Sequence, residues 1–526
     1  MKNKIHQVSK WLMIFVAITL CSAWLTACGD SNGSSKAADT KNDQAGLKSV
    51  TIIRNFKTAS LDPHNSWETL RAGITETLVR LNDKLELAPW LATQWEAEDA
   101  NTWHFTIRDG VSFQDGTKLD AAAVKASFER GIAASGVLKS ALNISEMHAE
   151  GQQLTIVTKE PHPSLPSELV NPYASIISTA AEKQMGTEAF NQAPVGTGPY
   201  KVITFTPNLE AELEANSAYW DGKPKLDRIL YKFNEDSNVR ALALQSGEAD
   251  IVYSIPAESV ATIEQNDKLH VESIAGLRAH YLLYNEQKKV MADRKVRQAL
   301  DLLLDRDSIA RDVMLGHGTP ATGPFNANLP FGFQDDAPAA NAEEALKLLE
   351  EAGFRKHASG GLEKDGKPLA LTLATYGARP ELPLIAQLLQ SNAAKIGVEI
   401  KLITVENADT YIRENKDWDI VTYSNLTAPR GDGGYFLNSA FMPGGALNGT
   451  EVNDQAIAEV VHKLNAATDV AERVQLTKEA AARVLEQVHH SYVVYPNLIV
   501  GVNDRIADWK PGAEEYYIVT AAMDVS

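Results

Sequence analysis

Hydrophobic positions first concentrate at residues 11–25, a run of about fifteen preceded by Lys2, Lys4 and Lys10. A basic start followed by a short apolar core is the layout of a secretory signal. The run falls short of the roughly 20 residues that span hydrocarbon. Positions 29–45 are then almost entirely Gly, Ser, Asn, Asp, Lys and Ala. Such a stretch has little to bury, which predicts a flexible tether.

Strand patterning begins at Val50-Thr51-Ile52-Ile53 and returns as the alternation of Trp103, Phe105 and Ile107. It passes Asp109-Gly110, resumes at Val111 and Phe113, and turns again at Asp115-Gly116. Asp-Gly turns flanked by alternating apolar residues predict a β-hairpin. A helix follows with Ala122, Val124, Phe128 and Ile132 on its apolar face. In the later half, Asn341 with Glu344 forms a capping box for a helix through Leu346 and Leu349 that Gly353 stops. Leu369, Leu371 and Leu373 alternate as a strand, residues 384–394 read as a helix ending before Gly397, and Val398, Ile400 and Leu402 make the next strand. Strand–helix–strand of this length is a βαβ unit, so this region should hold a largely parallel sheet. The pattern as a whole is mixed α/β, without internal repeats.

Composition narrows the classes. The chain has 526 residues, 44% apolar and 22% charged, which suits about three compact units and excludes disorder or coiled coil for most of its length. The net charge of −18 opposes phosphate backbones and anionic lipid, so no nucleic-acid partner is expected. Cys21 and Cys28 are the only cysteines, so the body uses no disulfide, thiolate nucleophile or Cys metal cluster. Leu25-Thr26-Ala27-Cys28 resembles a bacterial lipobox, in which cleavage precedes a cysteine that is then lipidated. The other readings are an uncleaved signal anchor and a plain secretory signal. Cleavage removes three lysines and no acid, taking the charge to −21. Lipidation of Cys28 would anchor the body to the cell membrane, or facing the periplasm, without a spanning helix.

Catalytic motifs fail on context. Gly29-Asp30-Ser31-Asn32-Gly33 matches a nucleophile elbow but lies in the polar tether. Residues 361–367 spell G-x4-G-K, but Pro368 stands where a phosphate loop needs Ser or Thr. H-E-x-x-H and a Gly-rich dinucleotide fingerprint are missing from the sequence. A secreted hydrolase is the remote alternative; no enzyme is expected.

The stretch Ala88-Pro89-Trp90-Leu91-Ala92-Thr93-Gln94-Trp95, continuing through Trp103-His104-Phe105-Thr106-Ile107-Arg108-Asp109-Gly110-Val111-Ser112-Phe113, resembles the most diagnostic signature of a known family. That family is the extracytoplasmic solute-binding proteins of the dipeptide/oligopeptide/nickel group, which feed ABC importers. Asp115-Gly116, Val124-Lys125-Ala126-Ser127-Phe128, Gly196-Thr197-Gly198-Pro199-Tyr200, Asn216-Ser217-Ala218-Tyr219-Trp220 and Val296-Arg297-Gln298-Ala299-Leu300 follow in the family's order. The resemblance implies a two-lobe periplasmic-binding-protein-like fold (type II, cluster C), with an extra subdomain in lobe I at about 80–200. Residues 1–27 would be the signal, 28–47 the tether, 48–284 plus 500–526 lobe I, and 285–499 lobe II. The chain would cross between lobes near Tyr284-Asn285 and near 496–502. A monomer working with importer permease subunits is implied. Trp95, Trp103 and Trp220 read as packing residues rather than ligand contacts.

In peptide receptors of this family, a second-lobe loop resembling W-x-G-D supplies an acid for the peptide's ammonium. The equivalent stretch here is Leu426-Thr427-Ala428-Pro429-Arg430-Gly431-Asp432, after the strand around Tyr423 and Asn425. Pro429 takes the acid's place and Arg430 stands beside it, suited to gripping a carboxylate. A slip of alignment would return the anchoring role to Asp432. Arg430 could equally be a solvated charge or an ion pair with Asp432. The resemblance points to a nickel or other transition-metal chelate, with Tyr423, Asn425, Arg430, Asp432, Tyr435 and Trp67 as ligand-binding candidates. A dipeptide or oligopeptide is the alternative ligand. No resident cofactor is implied; nickel would come as part of the chelate. His64, in the loop 61–67, and His490 are the candidate metal contacts. Against these stand a loop-capping hydrogen bond for His64 and a helix-end cap for the His489-His490 pair. The chain departs from the nickel receptors' Pro-Arg-Pro context, with Val170-Asn171-Pro172-Tyr173 in its place, and lacks their W-G-x-x-Y-D-P loop.

Overall fold

The computed structural model describes residues 46–526, apart from positions 359 and 378. The signal segment, the tether and Cys28 lie outside the described residues. The remainder, from Leu47 onward, forms one compact unit.

The strand Ser49–Arg54 runs parallel to Arg228–Phe233 on one side and to Ile251–Tyr253 on the other. Antiparallel strands Glu210–Ala215 and Tyr200–Thr206 extend this sheet. In the later half, Ala370–Thr375 lies parallel to both Glu399–Thr404 and Ile420–Leu426. The helix Glu381–Lys395 connects the first two, burying Leu382, Ile385, Ala386, Leu389 and Ala393 at helical spacing. This is the expected βαβ unit. Both faces of this second group of strands are covered. Leu282, Leu371 and Ile420 pack into one cluster while Tyr281, Leu283 and Val421 pack into another on the opposite face, as strand alternation requires.

The strand His490–Asn503 ties the two regions together. Its first half pairs with Arg278–Tyr284 and its second with Leu269–Ala275 and Ile251–Tyr253. Gly276 lies at the change of partner, where an added Cβ would stand 3.4 Å from the Pro496 carbonyl. Pro496 has no N–H to give a ladder, so the change of partner leaves no donor stranded there.

A separate four-stranded antiparallel sheet is formed by Ala92–Ala97, Thr102–Ile107, Gln153–Thr158 and Ile144–Glu150. It packs on the helix Ala121–Ala134, whose Val124 and Phe128 are buried. Ala122, expected on the apolar face, is exposed, and Ala121 takes the inward position. The hairpin expectation is corrected in part. Asp115-Gly116 does close a turn, with a bridge between Ser112 and Lys118. Past Asp109-Gly110, however, Val111 and Phe113 enter the subdomain core, and Thr102–Ile107 finds longer partners on both sides. Asn341 caps the helix Ala342–Glu351 through the Glu344 N–H at 3.0 Å.

Candidate ligand-binding cleft

A cavity of about 380 Å³ is lined from both halves of the chain. Trp67, Glu68, Arg71, Tyr173, Glu515 and Tyr516 come from the first third and the C-terminal end of the chain, and Arg278, Asn425, Pro429, Arg430 and Tyr435 from its later middle. Aromatic edges form one wall: Trp67 meets Tyr516 at 5.7 Å and Tyr173 at 6.1 Å between centroids. Three arginines and Lys57 line the cavity against two glutamates. Two of these cations are themselves paired, Lys57 with Glu235 at 2.7 Å and Arg430 with Glu168.

Local folding explains these positions. The strand Ile420–Leu426 carries Asn425 to its exit, and the following loop returns through Gly431, whose φ of 68° lies in the left-handed region. That loop delivers Arg430 over the Tyr435 ring at 4.4 Å and into an ion pair with Glu168. Burial opposes the Arg430 charge, but the charge and hydrogen bond of Glu168 outweigh it and raise its pKa. On the facing side, Arg71 Nη1 donates to Glu68 Oε1 at 2.7 Å, and the Tyr231 hydroxyl donates to Glu68 Oε2 at 2.7 Å. Glu515, held at φ 60°, has Arg54 Nη2 3.8 Å away. Burial alone would raise the Glu515 carboxyl, yet Arg54, Arg71, Arg278 and Arg379 together hold it below the usual range.

Of the sequence-predicted residues, the structure brings Trp67, Asn425, Arg430 and Tyr435 to the cavity. Four others are not among its lining. Asp432 accepts from Arg473 Nε and Nη2 at 2.9 and 2.8 Å and from the Gly434 N–H at 2.7 Å. Both of its carboxylate oxygens are thus engaged away from the cavity's lining. The Tyr423 hydroxyl is bonded to Asp409, with its ring against Tyr281. His64 is fully buried, Nε2 on the Ser175 carbonyl at 3.0 Å and Nδ1 facing Arg130 Nη1 at 3.0 Å. Burial, then the Arg130 charge, pushes its pKa down to about 4. With both nitrogens engaged, His64 has no lone pair to give a metal. His490 sits among Tyr281, Phe436 and Phe441, with Nδ1 3.3 Å from the Tyr492 hydroxyl. Its neighbour His489 instead meets Glu286 and Asp454. Among the described residues no group of three or more His, Cys, Asp or Glu is placed to hold a metal ion.

Sequence reasoning missed Arg71, Arg278, Glu168 and Glu515. Arg278 did carry a signal, as a lone cation opening an otherwise apolar strand, Arg278–Tyr284. Glu514-Glu515-Tyr516-Tyr517 was another, paired acids beside paired tyrosines. Glu168 had none.

Comparison with known proteins agrees with this geometry. Residues 86–448 match the bacterial extracellular solute-binding proteins, family 5, middle region. The nickel-binding protein NikA of Staphylococcus aureus is 34% identical over 495 residues, covering 94% of this chain and 95% of that protein. The crystal structure of a nickel ABC transporter protein from Bacillus halodurans is 43% identical, with a TM-score of 0.79 over 91% of this chain and 100% of that one. NikA from Staphylococcus aureus in complex with Ni(L-His)2 superposes with a TM-score of 0.78 at 34% identity, over the same shares. These relatives are solute-binding proteins, not enzymes, and they share the two-lobe fold. With most of its length inside the match and a relative 34% identical along 94% of it, this chain belongs to the bacterial extracellular solute-binding proteins of family 5.

Proposed function

We propose that the protein is the receptor of an ABC importer for an anionic chelate of nickel or another transition metal, bound between its lobes. The observation that carries this reading is the guanidinium-rich lining of the cavity, Arg71, Arg278 and Arg430, of which Arg278 enters no ion pair among the described residues. A guanidinium matches a carboxylate fork for fork. The chelator would supply the metal's donors, because His64 and His490 are engaged or enclosed elsewhere. Relatives whose names specify nickel support the metal. A peptide ligand would need an acid free for its ammonium, and Asp432 is taken by Arg473.

In this reading the lobes divide at Gly276–Leu277 and at Pro496–Asn497, where the strand pairings change partner. The first division lies upstream of Tyr284-Asn285, because Arg278–Tyr284 pairs with Ile420–Leu426 along its whole length. The monomeric body is tethered through lipidated Cys28 outside the cytoplasm and hands its cargo to permease subunits. Ligand touching both lobes closes them, since only contacts made to both at once favour the closed form.

Titration calorimetry with nickel(II) in excess L-histidine, with nickel(II) alone, and with di- and tripeptides tests the proposal. Saturable binding of the histidine complex, with weak or no response to the others, is expected. Tight binding of peptides without the complex would overturn it.

A further inference from the structure

We propose that a second cavity, apart from the cleft, binds a small zwitterion, an amino acid with an apolar side chain, held at its mouth between Asp221 and Arg80. The inference does not depend on what the cleft binds, because the two cavities share no lining residue.

This cavity measures about 230 Å³ and is walled by Leu70, Pro199, Val519 and the rings of Trp90, Tyr219 and Tyr517. Sites for drug-sized ligands start at about 300 Å³, so the occupant here is smaller and mainly apolar. The walls are fixed in advance. The Tyr517 hydroxyl accepts from the Leu81 N–H at 3.0 Å, and the Tyr219 hydroxyl donates to Glu76 Oε1 at 2.6 Å. Trp90 meets Tyr517 edge to face at 5.3 Å between centroids. The floor closes where the Val519 N–H donates to the Arg71 carbonyl at 2.9 Å. Gly73, at φ 67°, permits that approach, since a Cβ there would stand 2.8 Å from the Val519 carbonyl oxygen.

Two charged side chains of opposite sign join Glu76 in lining this space. Arg80 is the outward residue of the strand Val79–Leu81, opposite Ala88, and its guanidinium lies 5.9 Å from the Trp90 ring centroid. Asp221 follows Tyr219 and Trp220, whose polar hydrogens the Glu76 carboxylate holds. Both are exposed, and among the described residues neither side chain enters a hydrogen bond or an ion pair. A ligand can therefore engage them without breaking an existing pair. An α-amino acid carries its ammonium and its carboxylate on one carbon, which matches a mouth of one carboxylate and one guanidinium. The ammonium would lie beside Asp221 against the aromatic faces. Glu76 offers it further capacity, since three donors fill only part of a carboxylate's roughly four acceptor sites. The side chain then takes the apolar interior, where a charged one would have to shed its water.

The test titrates the full chain in lipid nanodiscs, without metal, using L-leucine, L-glutamate, L-leucinamide and N-acetyl-L-leucine. The amide lacks the carboxylate and the acetyl derivative lacks the ammonium. L-leucine should bind saturably at one site, about 10-fold or more tightly than each of the other three. Asp221→Asn and Arg80→Gln should each weaken L-leucine about 10-fold and leave binding of the nickel–histidine complex unchanged. Both side chains are exposed, so the variants should fold, which thermal melts check. Undiminished L-leucine affinity in either variant would overturn the site, as would the amide or the acetyl derivative binding as tightly as L-leucine. Equal weakening of the nickel–histidine complex in these variants would place the amino acid in the cleft and overturn it too. So would the lack of saturable binding by L-leucine, L-valine and L-phenylalanine alike.

Discussion

Arg430 and Glu168, 262 positions apart in sequence, form a buried ion pair that joins the loop after Ile420–Leu426 to the short helix Leu165–Glu168. The guanidinium is sandwiched further by the Tyr435 ring. The pair fixes Arg430, which lines the cavity, to a segment remote in sequence. A ligand carboxylate reaching Arg430 must use donors that Glu168 leaves open, or displace it.

Breaking one half of such a pair strands the other charge, at a cost of about 3–5 kcal/mol. Arg430→Met and Glu168→Gln should each lower stability by that order, and the double substitution by little more than either alone. Denaturant titrations of all four proteins give the coupling. Simple additivity would mean that the two groups do not interact. Arg430→Met should also weaken binding of the nickel–histidine complex by roughly 2–5 kcal/mol.

Asp432 makes the opposite prediction. Its carboxylate holds Arg473, which also donates to the Leu464 and Ala467 carbonyls at 2.7 and 3.0 Å. Asp432→Asn should cost ~3 kcal/mol of stability and leave ligand affinity within about twofold. Lost affinity at full stability would restore Asp432 as an anchor.

Glu76 links two of the family motifs. Its carboxylate accepts from Thr197 Oγ1 at 2.7 Å, Trp220 Nε1 at 2.8 Å and the Tyr219 hydroxyl at 2.6 Å. Burial outweighs these bonds and raises its pKa to about 7. A carboxyl with a raised folded pKa contributes stability at low pH that is lost as pH climbs through about 7. Relative to Glu76→Gln, the unsubstituted protein should therefore lose ~2 kcal/mol between about pH 5 and 8. Paired melts across that range check it, and a pH-independent difference would contradict the shift.

Replacing Cys28 with Ala should move the protein from the membrane pellet to the soluble fraction. Immunoblots of fractionated cells read this out. Retention in the pellet would reject lipidation as the anchor.

Much of the scaffold was legible because its signals are local. The Leu382–Ala393 stripe repeats at helical spacing, and Asn341 caps a helix three residues on. Of the predicted residues that line the cavity, Asn425, Arg430 and Tyr435 come from one strand-and-loop segment and Trp67 from another. The engagement of His64 was not legible because its partner Arg130 comes from a helix 66 positions away, held there by Asp62 and Glu182. The Asp432 ion pair was not legible because Arg473 lies 41 positions on. The Asp109-Gly110 turn looked like half a hairpin, yet Ile107 and Arg108 already pair with other segments through the Gln152 and Leu91 carbonyls. Residue type and spacing identify a charge; only the fold says which opposite charge claims it.

Native mass spectrometry of the protein as purified from its own cells, without added chelator, bears most directly on the receptor's cargo. A metal chelate captured between the lobes predicts a mass adduct equal to one transition-metal ion plus an organic molecule bearing carboxylates, released together on unfolding. A ladder of peptide masses, or a metal ion with no organic partner, would contradict it.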